Sequence, residues 1–202
     1  MTDATLAQLS DHLFTVSVVL YTLATVAFCA ELAFGRAPAR SRELVGAGGP
    51  PVAAPADGEP ARLRRLGVVA MAFTLLGIAT HVAVMVTRGL AVDRLPWGNM
   101  YEFATAVVLV GVGSYAVLAL RAPALRHIGA FVLGPVVVSM VLIGLFLYTE
   151  AGPLVAALRS WWLGVHVTTA TLGFGIFFLS GIASMLYLAR ARHYAKVAAG
   201  EA

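Results

Sequence analysis

The chain has 202 residues, of which 60% are hydrophobic and only 12% are charged, whereas soluble domains carry about 25% charged residues. This composition excludes intrinsic disorder and a basic nucleic-acid-binding domain. A single cysteine, Cys29, excludes an internal disulfide framework and a Cys-x-x-Cys-His haem-attachment motif. The composition indicates a protein whose solvent is the lipid bilayer.

Five apolar runs are long enough to cross a bilayer, because about 18 or more apolar residues in a helix span its hydrocarbon core. They cover residues 13–34, 66–87, 103–120, 128–149 and 163–189. The first run is preceded by Asp3 and Asp11 and by no basic residue, which does not fit a cleaved signal peptide. The sequence therefore predicts an all-α, polytopic transmembrane bundle of about five spans.

Four parts follow one another along the chain. Residues 1–34 contain the N-terminus and the first span. Residues 35–65 are rich in Gly, Pro, Ala and Arg, which predicts a flexible linker rather than a domain. Residues 66–190 form a four-span membrane bundle, and residues 191–202 form a terminal tail.

Basic residues predict the orientation of the bundle. With the N-terminus outside, the inner segments carry eleven Lys and Arg residues and the outer segments carry three, Arg88, Arg94 and Arg159. Basic residues close to span ends are enriched on the cytoplasmic side. We therefore expect a multi-pass plasma-membrane protein with its N-terminus outside and its linker, tail and C-terminus inside.

Two histidines, His81 and His166, lie inside apolar runs. Counting from the ends of their spans predicts that both lie near the outer boundary, about 9 Å and 5 Å below it. Small, hydroxylated or charged residues recur on the same helical faces, which favours faces turned toward other helices. These residues are Thr74, Gly77 and Arg88 with His81, and Thr169, Gly173, Ser180 and Ser184 with His166. We expect both imidazoles to point into the bundle, either as hydrogen-bonded structural groups or as ligands of haem iron.

The segment 95–103, Leu-Pro-Trp-Gly-Asn-Met-Tyr-Glu-Phe, gathers aromatic and polar residues at the outer entrance of the third span. Trp97 and Tyr101 are either interfacial anchors or part of a binding surface. Asn99 or Glu102 can cap the helix that begins there. The segment is therefore a candidate outer site, with helix capping as the simpler alternative for its polar residues.

Two outer arginines, Arg94 and Arg159, complete the candidate site. A guanidinium group pairs well with a carboxylate, so each can hold a porphyrin propionate, or else contact lipid phosphate. The pair of histidines about 13 or 14 residues apart on one helix, which is typical of b-type electron carriers, is missing. No catalytic residue is predicted.

The order of these features is similar to the system II cytochrome c biogenesis membrane proteins, known as CcsA, CcsB or ResC. The resemblance rests on the Arg-rich linker, the span that holds His81, the Pro-Trp-Gly-Asn-Met-Tyr-Glu string at 96–102, and the Trp-Leu-Gly-Val-His string at 162–166. It covers about residues 11–194 and corresponds to the N-terminal portion of the family's shorter members.

The resemblance implies a haem-handling component of c-type cytochrome maturation. Such a protein exports or presents haem b, held transiently and without covalent bonds, for attachment to the Cys-x-x-Cys-His motif of apocytochrome c. It acts with a membrane partner of the ResB or Ccs1 type, and at most as part of a haem-attachment synthase complex. The resemblance implies that His166 is an external haem ligand and matches His81 to a transmembrane histidine of many relatives.

The chain also departs from the family pattern. The tryptophan-rich Trp-Gly-x-x-Trp-x-Trp-Asp segment and the second external histidine are expected after the His166 span, and the sequence reaches Ala202 without them. We therefore expect a partial or truncated product, or a divergent short form of the family. Two other functions stay open: a b-type haem subunit that transfers electrons, and a structural or transport membrane protein without a cofactor.

Overall fold

The computed structural model describes residues 3–35, 61–152 and 160–200. All regular secondary structure within these ranges is helical. Five of the described helical segments are long and apolar enough to cross a membrane, which confirms the predicted all-α membrane bundle. Most of the predicted linker and Arg159 lie outside the described residues.

The five helices extend beyond the apolar runs that predicted them. They are α1 (Asp3–Gly35), α2 (Ala61–Ala91), α3 (Met100–Arg121), α4 (Gly129–Leu142) and α5 (Trp161–Ala198). A 3₁₀ turn, Pro123–Ile128, precedes α4, and a π-helical turn, Ile143–Leu147, continues it. Helical hydrogen bonds need no apolar side chains, so polar residues continue the helices past the hydrocarbon core. For this reason α2 begins within the segment predicted to be linker.

Helices α1 to α4 form a closed four-helix unit. Helix α1 packs on α2 and α4, and α3 packs on the other sides of α2 and α4. The buried core between them includes Tyr21, Phe28, Tyr115, Leu133 and Met140. Helix α5 lies outside this unit and packs mainly on α3.

One end of the unit is formed by Asp11, Arg88 and the segments 94–102 and 148–152, which contact one another. We call this end the rim. Helices α1 and α3 start at the rim, and α2 and α4 run toward it. Helix α5 also starts there, because the backbone of Gly164 lies beside the side chain of Leu95.

Gly175 determines which face of α5 packs against the unit. A Cβ atom at this position would lie 2.6 Å from the side chain of Val110 and 2.9 Å from the carbonyl oxygen of Val107, both on α3. Only a residue without a side chain allows so close an approach of two helices. Thr171 and Ile182 are buried on the same face of α5.

Candidate functional site

A buried carboxylate, Glu102, organises the rim. Its Oε1 accepts hydrogen bonds from Arg88 Nε at 3.1 Å and Arg94 Nη2 at 3.3 Å. Its Oε2 accepts from Arg94 Nη1 at 2.9 Å and from the backbone N–H of Gly98 at 2.6 Å. Both oxygens are therefore saturated, which is the condition under which a carboxylate without solvent contact is stable.

Arg88, the second buried charge, joins its own helix α2 to α1, to α3 and to the segment that follows α4. Its Nη1 lies 3.7 Å from Asp11 Oδ1, and its Nη2 donates to the carbonyl oxygen of Thr149. Its guanidinium carbon lies 4.6 Å from the centroid of the Tyr101 ring, within the range of a cation–π interaction. Two arginines and two carboxylates thus balance one another in a network in which Arg88 is 1% exposed.

The local sequence explains why this network forms at the start of α3. The Asn99 side chain accepts a hydrogen bond from the backbone N–H of Glu102 at 2.8 Å, which confirms the predicted cap. The cap begins the helix at Met100 and turns Glu102 inward. Arg94 also donates to the carbonyl oxygen of Gly152 at 3.0 Å, so the α2–α3 loop and the segment after α4 are held together.

The structure places the predicted outer residues in different environments. Tyr101 is 1% exposed and packs against Phe14 and Tyr148, with ring centroids 5.4 Å and 5.5 Å apart. Its alternative interpretation as an interfacial anchor is therefore wrong. Trp97 is partly buried, and its indole nitrogen has no hydrogen-bond partner among the described residues. The guanidinium of Arg94, predicted to hold a propionate, pairs with Glu102.

His81 is fully buried between α1 and α2, which confirms that it points into the bundle. Its Nδ1 lies 3.2 Å from the hydroxyl oxygen of Tyr21. Its Nε2 is buried, and the ring also approaches the backbone of Thr105 on α3. Thr74 and Arg88 on the same face of α2 are also buried.

His166 is exposed, so the prediction that it faces the bundle interior is wrong. The reason is its position relative to Gly175, the contact point of α5 on α3. Nine residues at about 100° each place the two on opposite faces of the helix. Thr169 and Ser180, which share the face of His166, are exposed as well.

The two histidines also differ in depth, contrary to the expectation of comparable depth. Seven residues separate His81 from Arg88, so His81 lies about 10 Å below the level of the rim network. The ring of Phe174 contacts Phe103 at 6.1 Å, and His166 lies eight residues, or about 12 Å, toward the rim from Phe174. Their separation along the helices is therefore on the order of 20 Å, too far for both to ligate one iron atom.

Two tryptophans stand one turn before His166, at the start of α5. Trp161 and Trp162 are 76% and 74% exposed, and their rings contact each other edge to face at 5.4 Å. Exposed tryptophans at the end of a membrane-spanning helix are typical of interfacial anchors. The structure adds that they and His166 lie on the free part of α5 beside the rim.

Within the described residues, no three His, Cys, Asp or Glu side chains lie together as a metal site. An apolar cavity of about 450 Å³ lies between α3, the π-helical turn and α5, lined by Phe103, Phe146, Phe174 and Phe178 among others. Neither His81 nor His166 lines it. One iron porphyrin would therefore not meet both His81 and His166 in this arrangement.

Sequence reasoning missed the central residues of the rim network, Arg88, Glu102 and Asp11. A usable signal was present, because each carries a charge within or next to an apolar run. An unpaired charge in the membrane is costly, so opposite charges near the same end of neighbouring spans predict pairing. That rule would have assigned Arg88 to Glu102.

Comparison with known proteins adds a second line of evidence. The sequence profile of the family described as "Cytochrome C assembly protein" matches residues 97–199. The cytochrome c biogenesis protein CcsA of Gloeobacter violaceus is 30% identical over 134 residues, which cover 62% of this chain and 37% of that protein. The chain thus spans little more than a third of the length of the curated relative it matches. No solved structure matches the chain.

The matched family region holds most of the rim and all of α3, α4 and α5. It includes the Asn99 cap, Glu102 and His166, and it extends over about half of the chain. The helices that contain these residues are long and apolar enough to span a membrane. The chain is therefore a multi-pass membrane protein that belongs to the cytochrome c assembly protein family.

Proposed function

We propose that the chain holds haem b transiently, as cargo, for attachment to an apocytochrome c. The exposed imidazole of His166 carries this proposal, because it lies beside the rim on a helix face that contacts no other described helix. A neutral imidazole is a standard axial ligand of haem iron. Trp161 and Trp162 offer exposed apolar ring faces next to it, and such faces suit a flat porphyrin.

His81 is the second proposed ligand, at a separate position inside the bundle. A neutral imidazole is the chemical group that iron ligation requires, and the His81 ring is buried inside the bundle. Because the two histidines lie on the order of 20 Å apart along the helices, we propose that they receive haem at different positions. The same separation argues against a b-type electron carrier that holds one haem between paired histidines.

The remaining predicted residues act through the rim in this proposal. The Arg94 side chain is 16% exposed while it pairs with Glu102, so it can contact a propionate only at its open edge. Trp97 and Tyr101 shape the loop and the packing beneath Arg88. Arg159, also a proposed propionate contact, lies outside the described residues.

The excess of basic residues in the segments opposite the rim, eleven against three, supports a rim that faces outward from the plasma membrane. The haem supplies the vinyl groups to which apocytochrome thiols are joined. The chain supplies position: an imidazole for the iron, aromatic surface for the ring, and a rim held rigid by ion pairs. Its proposed partners are apocytochrome c and a membrane protein of the ResB or Ccs1 type.

A paired substitution on α5 tests the proposal. His166→Ala should lower both the haem absorbance of the purified protein and the yield of c-type cytochrome at equal protein abundance. His193→Ala is the matched control, since His193 is an exposed histidine at the other end of the same helix. Unchanged haem content and cytochrome yield in His166→Ala, or equal losses in both variants, would remove His166 from the site. Absence of haem from the wild-type protein purified with haem present would favour a protein without this cargo.

A further inference from the structure

The apolar cavity of about 450 Å³ between α3, the π-helical turn and α5 has no part in the proposed function. Its floor includes Val108 and Ile143, which are 6% and 5% exposed. Its mouth includes Leu142, Phe146 and Phe174, which are 48%, 76% and 59% exposed. The cavity therefore leads from the surface of the bundle to the core of the four-helix unit.

The cavity exists because α5 approaches α3 closely and α4 only slightly. Gly175 places α5 directly against Val107 and Val110 of α3. The π-helical turn instead packs against α1, since a Cβ atom at Gly144 would lie 3.2 Å from a ring carbon of Phe14. The outer end of α4 and helix α5 are thus held by different neighbours, and a gap remains between them.

The cavity runs along the helices from the rim into the membrane. Its lining residues on α3 fall within 100–108, and those on α4 and the π-helical turn fall within 139–147, which is about 12 Å along each helix. Both stretches belong to segments that are long and apolar enough to cross a membrane. Asn99 and Tyr148, which flank these stretches, belong to the rim. One end of the cavity therefore lies at the level of the rim, and the other lies deeper in the hydrocarbon core.

The lining of the cavity is suited to hydrocarbon. Among the described residues that line it, Ser139 is the only polar one and none carries a charge. The cavity therefore offers no counter-charge to an anion, to a propionate or to a peptide terminus. Apolar cavities do not hold ordered water, and lining atoms that face empty space lose their dispersion contacts. A hydrocarbon chain restores those contacts without leaving a polar group unpaired.

The bilayer around the chain supplies hydrocarbon in the form of phospholipid acyl chains. The exposed side chains at the mouth of the cavity lie on membrane-spanning segments, so the cavity opens toward these acyl chains. Its volume lies within the range of about 300–1,000 Å³ that is typical of ligand sites. Exposed aromatic residues near its rim end, Tyr148, Trp161 and Trp162, are typical of the level at which lipid headgroups lie. A molecule with a polar head at this level and an apolar chain below it matches the cavity.

We propose that this cavity binds an acyl chain of a single phospholipid, whose headgroup lies at the level of the rim. The chain fills the gap between the outer end of α4 and α5. It gives α5 a second contact with the four-helix unit, in addition to the narrow one at Gly175. The bound lipid thereby fixes the position of α5 beside the rim.

Lipid retention tests the proposal directly. After transfer of the full chain from membranes into mild detergent, native mass spectrometry should show the wild type with one retained phospholipid. Ala104→Phe places a phenyl ring in the cavity, because Ala104 lines it, and should abolish retention. Met100→Trp obstructs the rim end from a side chain that is 62% exposed, and should do the same without adding volume to the core. Ala183→Phe is the matched control, since Ala183 is exposed on α5 and does not line the cavity.

Melting temperatures distinguish loss of the lipid from misfolding. Addition of dioleoylphosphatidylcholine to delipidated protein should raise the melting temperature of the wild type and of Ala183→Phe, because a ligand that binds the folded state stabilises it. Delipidated Ala104→Phe should melt no lower than the delipidated wild type, since its phenyl ring takes the place of the acyl chain. Its melting temperature should not respond to the added lipid.

Three results would overturn the proposal. The first is a wild-type protein that retains no phospholipid, and the second is retention in both Ala104→Phe and Met100→Trp that equals that of the wild type. The third is displacement of the phospholipid by an equimolar isoprenoid quinone or by haemin, which would assign the cavity to that ligand. Because no step requires haem, these outcomes are independent of the result for His166→Ala.

Discussion

The four-helix unit and α5 differ in how much of their apolar surface is buried in protein. In α3, which packs on α2, α4 and α5, 44% of the most apolar 18-residue stretch is buried in protein, whereas in α5 the share is 11%. The unit encloses the ionisable residues Arg88, Glu102 and His81. Helix α5 contacts α3 along one narrow face and leaves His166 outside.

Because of this difference, the rim is held rigidly whereas the His166 imidazole is accessible. A buried, charge-balanced network has one low-energy arrangement, because each member left unpaired would carry the cost of its own desolvation. The rim can therefore hold the start of α3 and the adjoining loops in fixed positions. An exposed imidazole on a helix held by one face can be reached by a flat ligand or by a partner protein, which an enclosed imidazole cannot without helix movement.

The largest effect is expected from loss of the carboxylate at the centre of the rim. Glu102→Ala leaves Arg88 buried without its main counter-charge, and breaking a buried ion pair in this way costs about 3–5 kcal/mol. The melting temperature of the detergent-solubilised protein should fall accordingly. Glu102→Gln should lower the melting temperature less, because the amide oxygen can still accept a hydrogen bond from an arginine.

Glu150→Ala is the control, since Glu150 is an exposed acidic residue at the same end of the bundle. Its effect should stay within about 0.5 kcal/mol. Equal melting temperatures for Glu102→Ala and Glu150→Ala would mean that the rim network does not stabilise the four-helix unit.

A smaller loss of stability is expected from a substitution at the contact between α5 and the four-helix unit. Gly175→Ala places a methyl group against Val110 and the Val107 carbonyl oxygen, and overpacking of this kind costs about 1–3 kcal/mol. Gly173→Ala on the free face should be neutral, because no atom lies within 4 Å of the added Cβ. Protease sensitivity of the α4–α5 connection reports detachment of α5. Equal sensitivity in the two variants would show that Gly175 does not fix the packed face.

The fold could be predicted from sequence further than the site could. Hydrophobic runs locate all five spans because the bilayer sets a minimum apolar length. The inward face of α2 was also readable, since Thr74 and Arg88 are costly to expose to lipid. For α5 the same reasoning failed, because small residues occur on both faces and the choice between Gly173 and Gly175 depends on the shape of α3.

The ion pairs at the rim could not be predicted by considering each helix separately. Each arginine was interpreted from the residues close to it in sequence. Arg88 was placed on the helical face of His81, and Arg94 was assigned to a porphyrin propionate. Their common partner, Glu102, was interpreted as a helix cap. Only the packing of α1, α2 and α3 brings these residues together, and that packing depends on contacts between residues distant in sequence, such as Ser17 with Thr80.

The smallest effect concerns the exposed edge of the rim, at Tyr148, just after the fourth span ends at Leu147. The Tyr148 hydroxyl donates to Asp11 Oδ2 at 2.7 Å, and this hydrogen bond raises the pKa of Tyr148 above its ordinary value. A raised pKa means that the folded protein favours the neutral hydroxyl. The stabilisation is therefore present below about pH 10, the ordinary tyrosine pKa, and is lost as pH rises through the higher folded-state value.

Tyr148→Phe should accordingly lower stability by about 1 kcal/mol or less near neutral pH, because the side chain is 48% exposed and the hydrogen bond competes with water. The difference in melting temperature between wild type and variant should shrink above about pH 10. Tyr187→Phe, at an exposed tyrosine on α5, should show no such difference at either pH. A gap between wild type and Tyr148→Phe that stays constant from neutral to alkaline pH would show that the Tyr148 proton does not bridge to Asp11. Tyr148 would then be held at the rim by its ring contact with Tyr101 on α3.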